Sequence, residues 1–208
     1  MITSNRGDGL IVDEVNIVSS TISGNTGVGV VVNKQGTITN STIDNNTGGG
    51  IKANNERGDL GVDALPSLAV SHSTIAENGS TAAIAGGILL SESYSYAGDT
   101  NLLNLTNTTI SGNTGSAAGG ILIDRNNNSN GELIAEFENT IVARNTGSVA
   151  DVSGNTQSLG YNLIGVLDGA TGFTATGDLL GTASNPLNPK LGALKDNGGP
   201  TATQQLLP

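Results

Sequence analysis

The chain has 208 residues, a formal charge of −10 and no cysteine, which excludes disulfides, thiolate metal sites and thiol nucleophiles. Its acidity argues against nucleic acid, where a basic footprint is needed, and against anionic membrane surfaces. Gly, Asn, Thr and Ser make up nearly half of the chain and aromatic residues only 2%, so its core must be built from Ile, Val, Leu and Ala in short runs, which suits many short strands.

The chain opens on Met1-Ile2-Thr3-Ser4-Asn5, which lacks the basic and apolar regions of a signal peptide. An exported protein would therefore be represented by a mature or internal piece. No stretch approaches the length of a transmembrane helix, so membrane insertion is not expected.

From residue 21 a unit recurs five times, a Thr-Ile pair leading into an Asn-containing turn. The copies are Thr21-Ile22-Ser23-Gly24-Asn25, Thr42-Ile43-Asp44-Asn45-Asn46, Thr74-Ile75-Ala76-Glu77-Asn78, Thr109-Ile110-Ser111-Gly112-Asn113 and Thr140-Ile141-Val142-Ala143-Arg144-Asn145, the last with one extra residue. Recurrence of this kind marks one supersecondary unit stacked on itself, and disordered tracts do not place isoleucines in register. The isoleucines are 21, 32, 35 and 31 residues apart, a constant frame carrying insertions at fixed corners. After each turn comes an apolar strand: Gly29–Val32, Gly50–Ala53, Gly87–Leu90 and Gly120–Ile123. Before the Thr-Ile pairs lie alternating strands such as Ile38–Asn40, Leu68–Val70 and Leu103–Leu105.

Three short strands per repeat predict an all-β fold: a right-handed single-stranded parallel β-helix, a solenoid of about six to seven coils stacked at about 4.8 Å. The left-handed form is disfavoured because hexapeptide periodicity is absent. Asn25, Asn46, Asn78, Asn113 and Asn145 then hold one column. An amide carries both donor and acceptor, so such a column can bond from coil to coil at about 1 kcal/mol per bond. From Asp151 the pattern shifts, and Asn185-Pro186-Leu187-Asn188-Pro189 begins a Gly/Pro-rich end. The expected division is coils over 1–165 and, over 166–208, an irregular C-terminal cap or passage to a following module, since an open sheet end invites aggregation.

These residues carry a resemblance. The STISGNTG…GGI units resemble the parallel β-helix repeats of the pectate-lyase-like superfamily. The stretch NTIVARNTG…DVSGNTQSLGYNLIG, followed by LLGTASNPLNPKLGALKDNGGPTATQQLLP, resembles the last part of bacterial surface proteins of the choice-of-anchor Q type. Together these cover most of residues 10–208. The resemblance implies a secreted or cell-surface protein, with attachment left open because this chain stops at Leu206-Leu207-Pro208 where relatives usually continue.

Three insertions, roughly 54–67, 91–102 and 124–132, follow the same strand and would emerge on one face, where function collects in repeat proteins. They hold the candidate ligand-binding residues Glu56, Asp59, Asp63, Glu92, Tyr94, Tyr96, Asp99, Asp124 and Arg125, with tyrosine suited to sugar stacking. No catalytic residue is assigned. The aspartate clusters with an Arg or Lys base, or with a Gly-His-Gly segment, that relatives of the fold carry are not found. Paired carboxylates could still meet across coils, for instance Asp99 with Asp124, and glycoside hydrolysis needs only two at suitable separation. The sole histidine, His72, falls in a corner column with Ser19, Asn40 and Asn107 and reads as structural. No metal or cofactor is expected, calcium being suggested only by the acidic loops and by no Asp/Gly nonapeptide run.

The expected function is a non-catalytic extracellular or cell-surface module with a structural, adhesive or assembly role. Its partners would be other copies of itself or other surface proteins. The alternative is a carbohydrate-binding or polysaccharide-cleaving protein using the insertion loops. A more distant one is an ice-binding face on the column Thr21, Thr42, Thr74, Thr109 and Thr140, whose neighbouring column Ser23, Asp44, Ala76, Ser111 and Val142 breaks the regularity.

Overall fold

The computed structural model describes residues 1–55, 67–92, 100–125 and 132–208, and among these every regular element is a strand. Strands are numbered along the chain. One parallel sheet joins β1 (Ile2–Thr3), β3 (Thr21–Ser23), β5 (Thr42–Asp44), β8 (Thr74–Ala76), β11 (Thr109–Ser111), β14 (Ile141–Ala143), β16 (Leu163–Ile164) and β18 (Leu179–Leu180), in that order. Its register runs Ile2, Ile22, Ile43, Ile75, Ile110, Val142, Ile164, Leu180, each residue opposite the next. The Thr-Ile units are therefore neighbours in space although 21 to 35 residues apart.

The second sheet contains β2 (Leu10–Val18), β4 (Val28–Thr39), β6 (Gly49–Asn55), β7 (Ser67–Ser71), β9 (Ile88–Glu92), β10 (Thr100–Thr106), β12 (Ile121–Arg125), β13 (Glu132–Glu138), β15 (Val152–Gly160) and β17 (Gly169–Thr171). Eight of these pair in a closed circuit, β12-β9-β6-β4-β7-β10-β13-β15 and back to β12, all parallel, while β2 attaches to β4 and β17 to β15.

This pairing corrects the expected right-handed single-stranded parallel β-helix solenoid of six to seven coils: the second sheet closes as an eight-strand parallel barrel beside an open parallel sheet. The closure depends on two long strands. The sequence pattern placed a corner between Val32 and Ile38, yet β4 runs unbroken through Asn33-Lys34-Gln35, where no Gly or Pro interrupts it. Its first half pairs β6 through Val28–Val32 and its second half pairs β7 through Gly36–Thr39. A bulge against β2, between Val12 and Glu14, bends it on the way. β15 does the same at the other end, pairing β12 at Val152 and β13 from Thr156, with Gly154 at φ 115° between them.

The core between the sheets is aliphatic and continuous. Ile22, Ile43, Ile75 and Ile110 meet Val30, Ile51, Ile88 and Ile121 from one side of the barrel and Ile38, Val70, Leu105 and Phe137 from the other. Each such side chain contributes about 1.5–3 kcal/mol on burial. Phe137 meets Phe173 with ring centroids 5.0 Å apart and planes tilted by 60°, the aromatic pair of the core among the described residues.

The final residues form an antiparallel pair, β19 (Leu191–Lys195) and β20 (Thr203–Leu206). This pair lies against the outer face of the open sheet. Thr42 Oγ1 donates to the Ala202 carbonyl, Ser111 Oγ bonds Gln204 Oε1, and Arg144 Nη1 donates to the Leu191 carbonyl at 2.8 Å. Thr42, Ala76, Ser111 and Ala143 are fully covered.

Candidate functional site

Of the candidate ligand-binding residues, Glu56, Asp59, Asp63, Tyr94, Tyr96 and Asp99 lie outside the described residues, as does the side chain of Glu92. Asp124 and Arg125 are exposed at the end of β12. Their register partners are Ser91 and Glu92 on β9, and beyond them Asn54 and Asn55 on β6. A polar file crosses this edge: Ser91 Oγ donates to Asn54 Oδ1 at 3.1 Å, Asn54 to Asn33 Oδ1 at 3.4 Å, and Asn33 to Asp13 Oδ1 at 3.4 Å. The file ends at the Asp13–Lys34 ion pair, 2.9 Å, whose hydrogen bond holds the Asp13 carboxyl below its ordinary range. On the adjacent surface a depression of about 340 Å³ is lined by Val28, Ile51, Lys52, Ile84 and Leu89 among others. Among the described residues no group of three or more His, Cys, Asp or Glu could hold a metal ion.

The asparagines are placed in a single buried column. Asn25 Nδ2 donates to Asn46 Oδ1 at 2.7 Å, Asn46 to Asn78 at 2.9 Å, Asn78 to Asn113 at 3.0 Å and Asn113 to Asn145 at 2.9 Å. In every step the main-chain N–H of the same residue donates to the same oxygen, at 3.0–3.1 Å. The second amide hydrogen finds a carbonyl, for example Asn46 to Ile22 and Asn78 to Ile43. The rungs Asn46, Asn78, Asn113 and Asn145 are thus saturated, and this is how a buried amide avoids a desolvation cost.

The column has two members that the repeat pattern did not include. Asn5 is its first rung, donating to Asn25 Oδ1 from both its main chain and its side chain. Asp151 is its last, accepting from Asn145 N at 3.2 Å and Nδ2 at 2.8 Å, while its other oxygen accepts from Val166 N at 2.7 Å. Burial pushes the Asp151 carboxyl up from its ordinary value, and these three hydrogen bonds pull against that. The 20-residue step from Asn5 to Asn25 was visible in the sequence. Asp151 was not, because its spacing of six from Asn145 breaks the period.

A second column follows the residue before each Thr-Ile pair. Ser20 N donates to Ser41 Oγ, Ser41 N to Ser73 Oγ, Thr108 N to Thr140 Oγ1, Thr140 N to Asn162 Oδ1 and Asn162 N to Asp178 Oδ1. Thr140 therefore stands over Thr108, and Ile141, not Thr140, pairs with Thr109. The fifth unit sits one residue later than the sequence alignment placed it, with Val142 in the core. The extra residue before Asn145 is absorbed at the start of the unit.

A third column is structural through its backbone. Ser19, Asn40, His72, Asn107, Asn139 and Tyr161 all have φ between 47° and 59°. His72 Nε2 meets Asn107 Nδ2 at 3.2 Å, a corner contact. Close approach fixes a fourth: a Cβ on Gly87 would stand 2.5 Å from the Gly120 carbonyl oxygen and 3.0 Å from Ile110 Cγ2, and Gly29, Gly50 and Gly120 meet the same obstacles.

Fold and site together define an all-β repeat protein whose buried polar groups hold strands in register. Compared with protein-family models, with curated proteins and with solved structures, the chain matches none.

Proposed function

We propose that the protein is a non-catalytic structural module of a cell-surface or extracellular assembly. The observation that carries this reading is where its polar chemistry is spent. Asn46, Asn78, Asn113, Asn145, Asp151 and Asn162 are all buried and bonded from one strand to the next. No described buried side-chain nitrogen or oxygen is left without a partner. An enzyme or a ligand-binding pocket keeps some polar groups free to meet its substrate, whereas a spacer or scaffold uses them for rigidity. The resemblance of the terminal block, with Asp196-Asn197-Gly198-Gly199-Pro200-Thr201, to bacterial surface proteins supports the location.

A polysaccharide array run beside sedimentation of the purified chain tests it. The scaffold reading expects no glycan retained and none shortened. Retention or cleavage of an acidic or neutral glycan that is lost in Asp124→Ala or Arg125→Ala would replace it with the carbohydrate reading.

A further inference from the structure

The two hydrogen-bonded columns have a direction, and their ends differ. In each step the donor belongs to the earlier rung and the acceptor to the later one. At the C-terminal end both columns stop on an aspartate, Asp151 and Asp178, which accepts and, when ionised, has nothing to donate onward. Asp151 uses its second oxygen on Val166 N and Asp178 its second on Ala175 N, so both columns end there. At the N-terminal end the situation is reversed. Asn5 Oδ1 and Ser20 Oγ occupy the acceptor position of their columns, and among the described residues nothing donates to either. Beside them β2 pairs only with β4, leaving nine residues of parallel edge unpaired among the described residues, with Ile11 61% and Val18 53% exposed.

We infer that this N-terminal edge is a docking site for one further repeat unit of the kind the chain already stacks, lying parallel to β2 with its ladder asparagine above Asn5. The match is chemical as well as geometric. An asparagine of that unit supplies the paired main-chain and side-chain N–H donors that Asn5 Oδ1 lacks, as Asn5 itself does for Asn25. The strand after it completes the β2 edge as β2 completes β4, with apolar residues over Ile11 and Val18. Two copies meeting β2 against β2 fit worse. Antiparallel pairing about the two-fold axis would bring the exposed Asp13 and Glu14 of each copy together near the centre, between chains of net charge −10. Head-to-tail pairing also fits worse, because the columns end on acceptors at Asp151 and Asp178 whereas Asn5 Oδ1 needs donors. The inference rests on the scaffold reading and names the chemistry of its partner.

The probe is a peptide with the sequence of residues 21–40, added to the intact protein, with amide exchange of β2 as readout. The peptide is expected to slow exchange of the β2 edge amides. Replacing its own ladder asparagine (Asn25→Ala) should weaken binding by about fivefold or more, one hydrogen bond's worth. Asn5→Ala in the protein should do the same, and Ile11→Lys should abolish protection. A second measurement removes any dependence on peptide solubility: joining residues 21–40 directly ahead of Met1 reproduces the 20-residue step from Ile2 to Ile22. This fusion is expected to raise the folding equilibrium constant by about tenfold or more, a gain cancelled by Asn25→Ala in the added unit. Unchanged exchange and unchanged stability overturn the inference, as does a dimer of the unmodified chain that Ile11→Lys dissociates. None of these results alters the glycan assay, so the scaffold reading stands or falls separately.

Discussion

Truncating Asn78 tests the ladder where it is most enclosed. Asn46, Asn78 and Asn113 are each at most 1% exposed. Asn78 Oδ1 accepts from Asn46 N at 3.1 Å and Asn46 Nδ2 at 2.9 Å, and its amide serves Ile43 O, Ala76 O and Asn113 Oδ1. Asn78→Ala leaves two donors of Asn46 buried without that acceptor. At about 1–3 kcal/mol per orphaned group, the variant should lose about 2–6 kcal/mol. Asn5→Ala is the internal comparison: Asn5 is exposed and nothing donates to its side chain among the described residues, so water replaces what is lost and the cost should stay near 1 kcal/mol or below. Urea unfolding at neutral pH, with the slope checked for constancy, measures both. If the two variants lie within about 0.5 kcal/mol of each other, the column is a by-product of turn geometry and contributes little.

Gly87→Ala should cost more than about 2 kcal/mol in the same assay, because the new methyl group meets the Gly120 carbonyl, whereas Gly7→Ala, with nothing within 4 Å, should be neutral within about 0.5 kcal/mol. Phe137→Ala removes the largest fully buried side chain among the described residues and should cost about 3–5 kcal/mol by thermal or urea unfolding, while Phe173→Leu, losing only the ring pair, should cost about 0.5–1.5 kcal/mol. Asp151 predicts a pH dependence. Its folded value is raised, so in the window above its ordinary value the native state holds the proton more tightly than the unfolded chain, and its contribution to stability falls as pH rises through that window. Unfolding free energies measured from pH 3 to pH 7 should show this downward term in the parent and not in Asp151→Asn; an identical profile in both would refute the assignment.

Much of the site was legible from local chemistry. Asn25, Asn46, Asn78 and Asn113 recur at one place in each unit, and an amide suits a stacked corner whatever encloses it. The positive φ at His72 and Asn107 likewise belongs to a corner that Ser19 and Asn40 already marked. The fifth unit shows the limit of such reading: Thr140-Ile141 matches the motif, but one extra residue before Asn145 moves Val142 into the core, and only packing chooses between the two alignments.

By itself, then, the sequence determined that distant units would be neighbours in parallel register, because side-chain alternation, small residues at close approach and turn residues at corners are requirements each unit carries within itself. Tertiary structure alone decided how the sheets close and what covers them. The same extended dihedrals serve a strand that stops at Val32 and one that runs on to Thr39, and the choice is made by partners on β6 and β7. The contact of Thr42 with Ala202 spans 160 residues, and no local preference in either segment encodes the other. Asp151 ends its column for the same reason: a carboxylate becomes a terminus only when the chain returns Val166 to meet it.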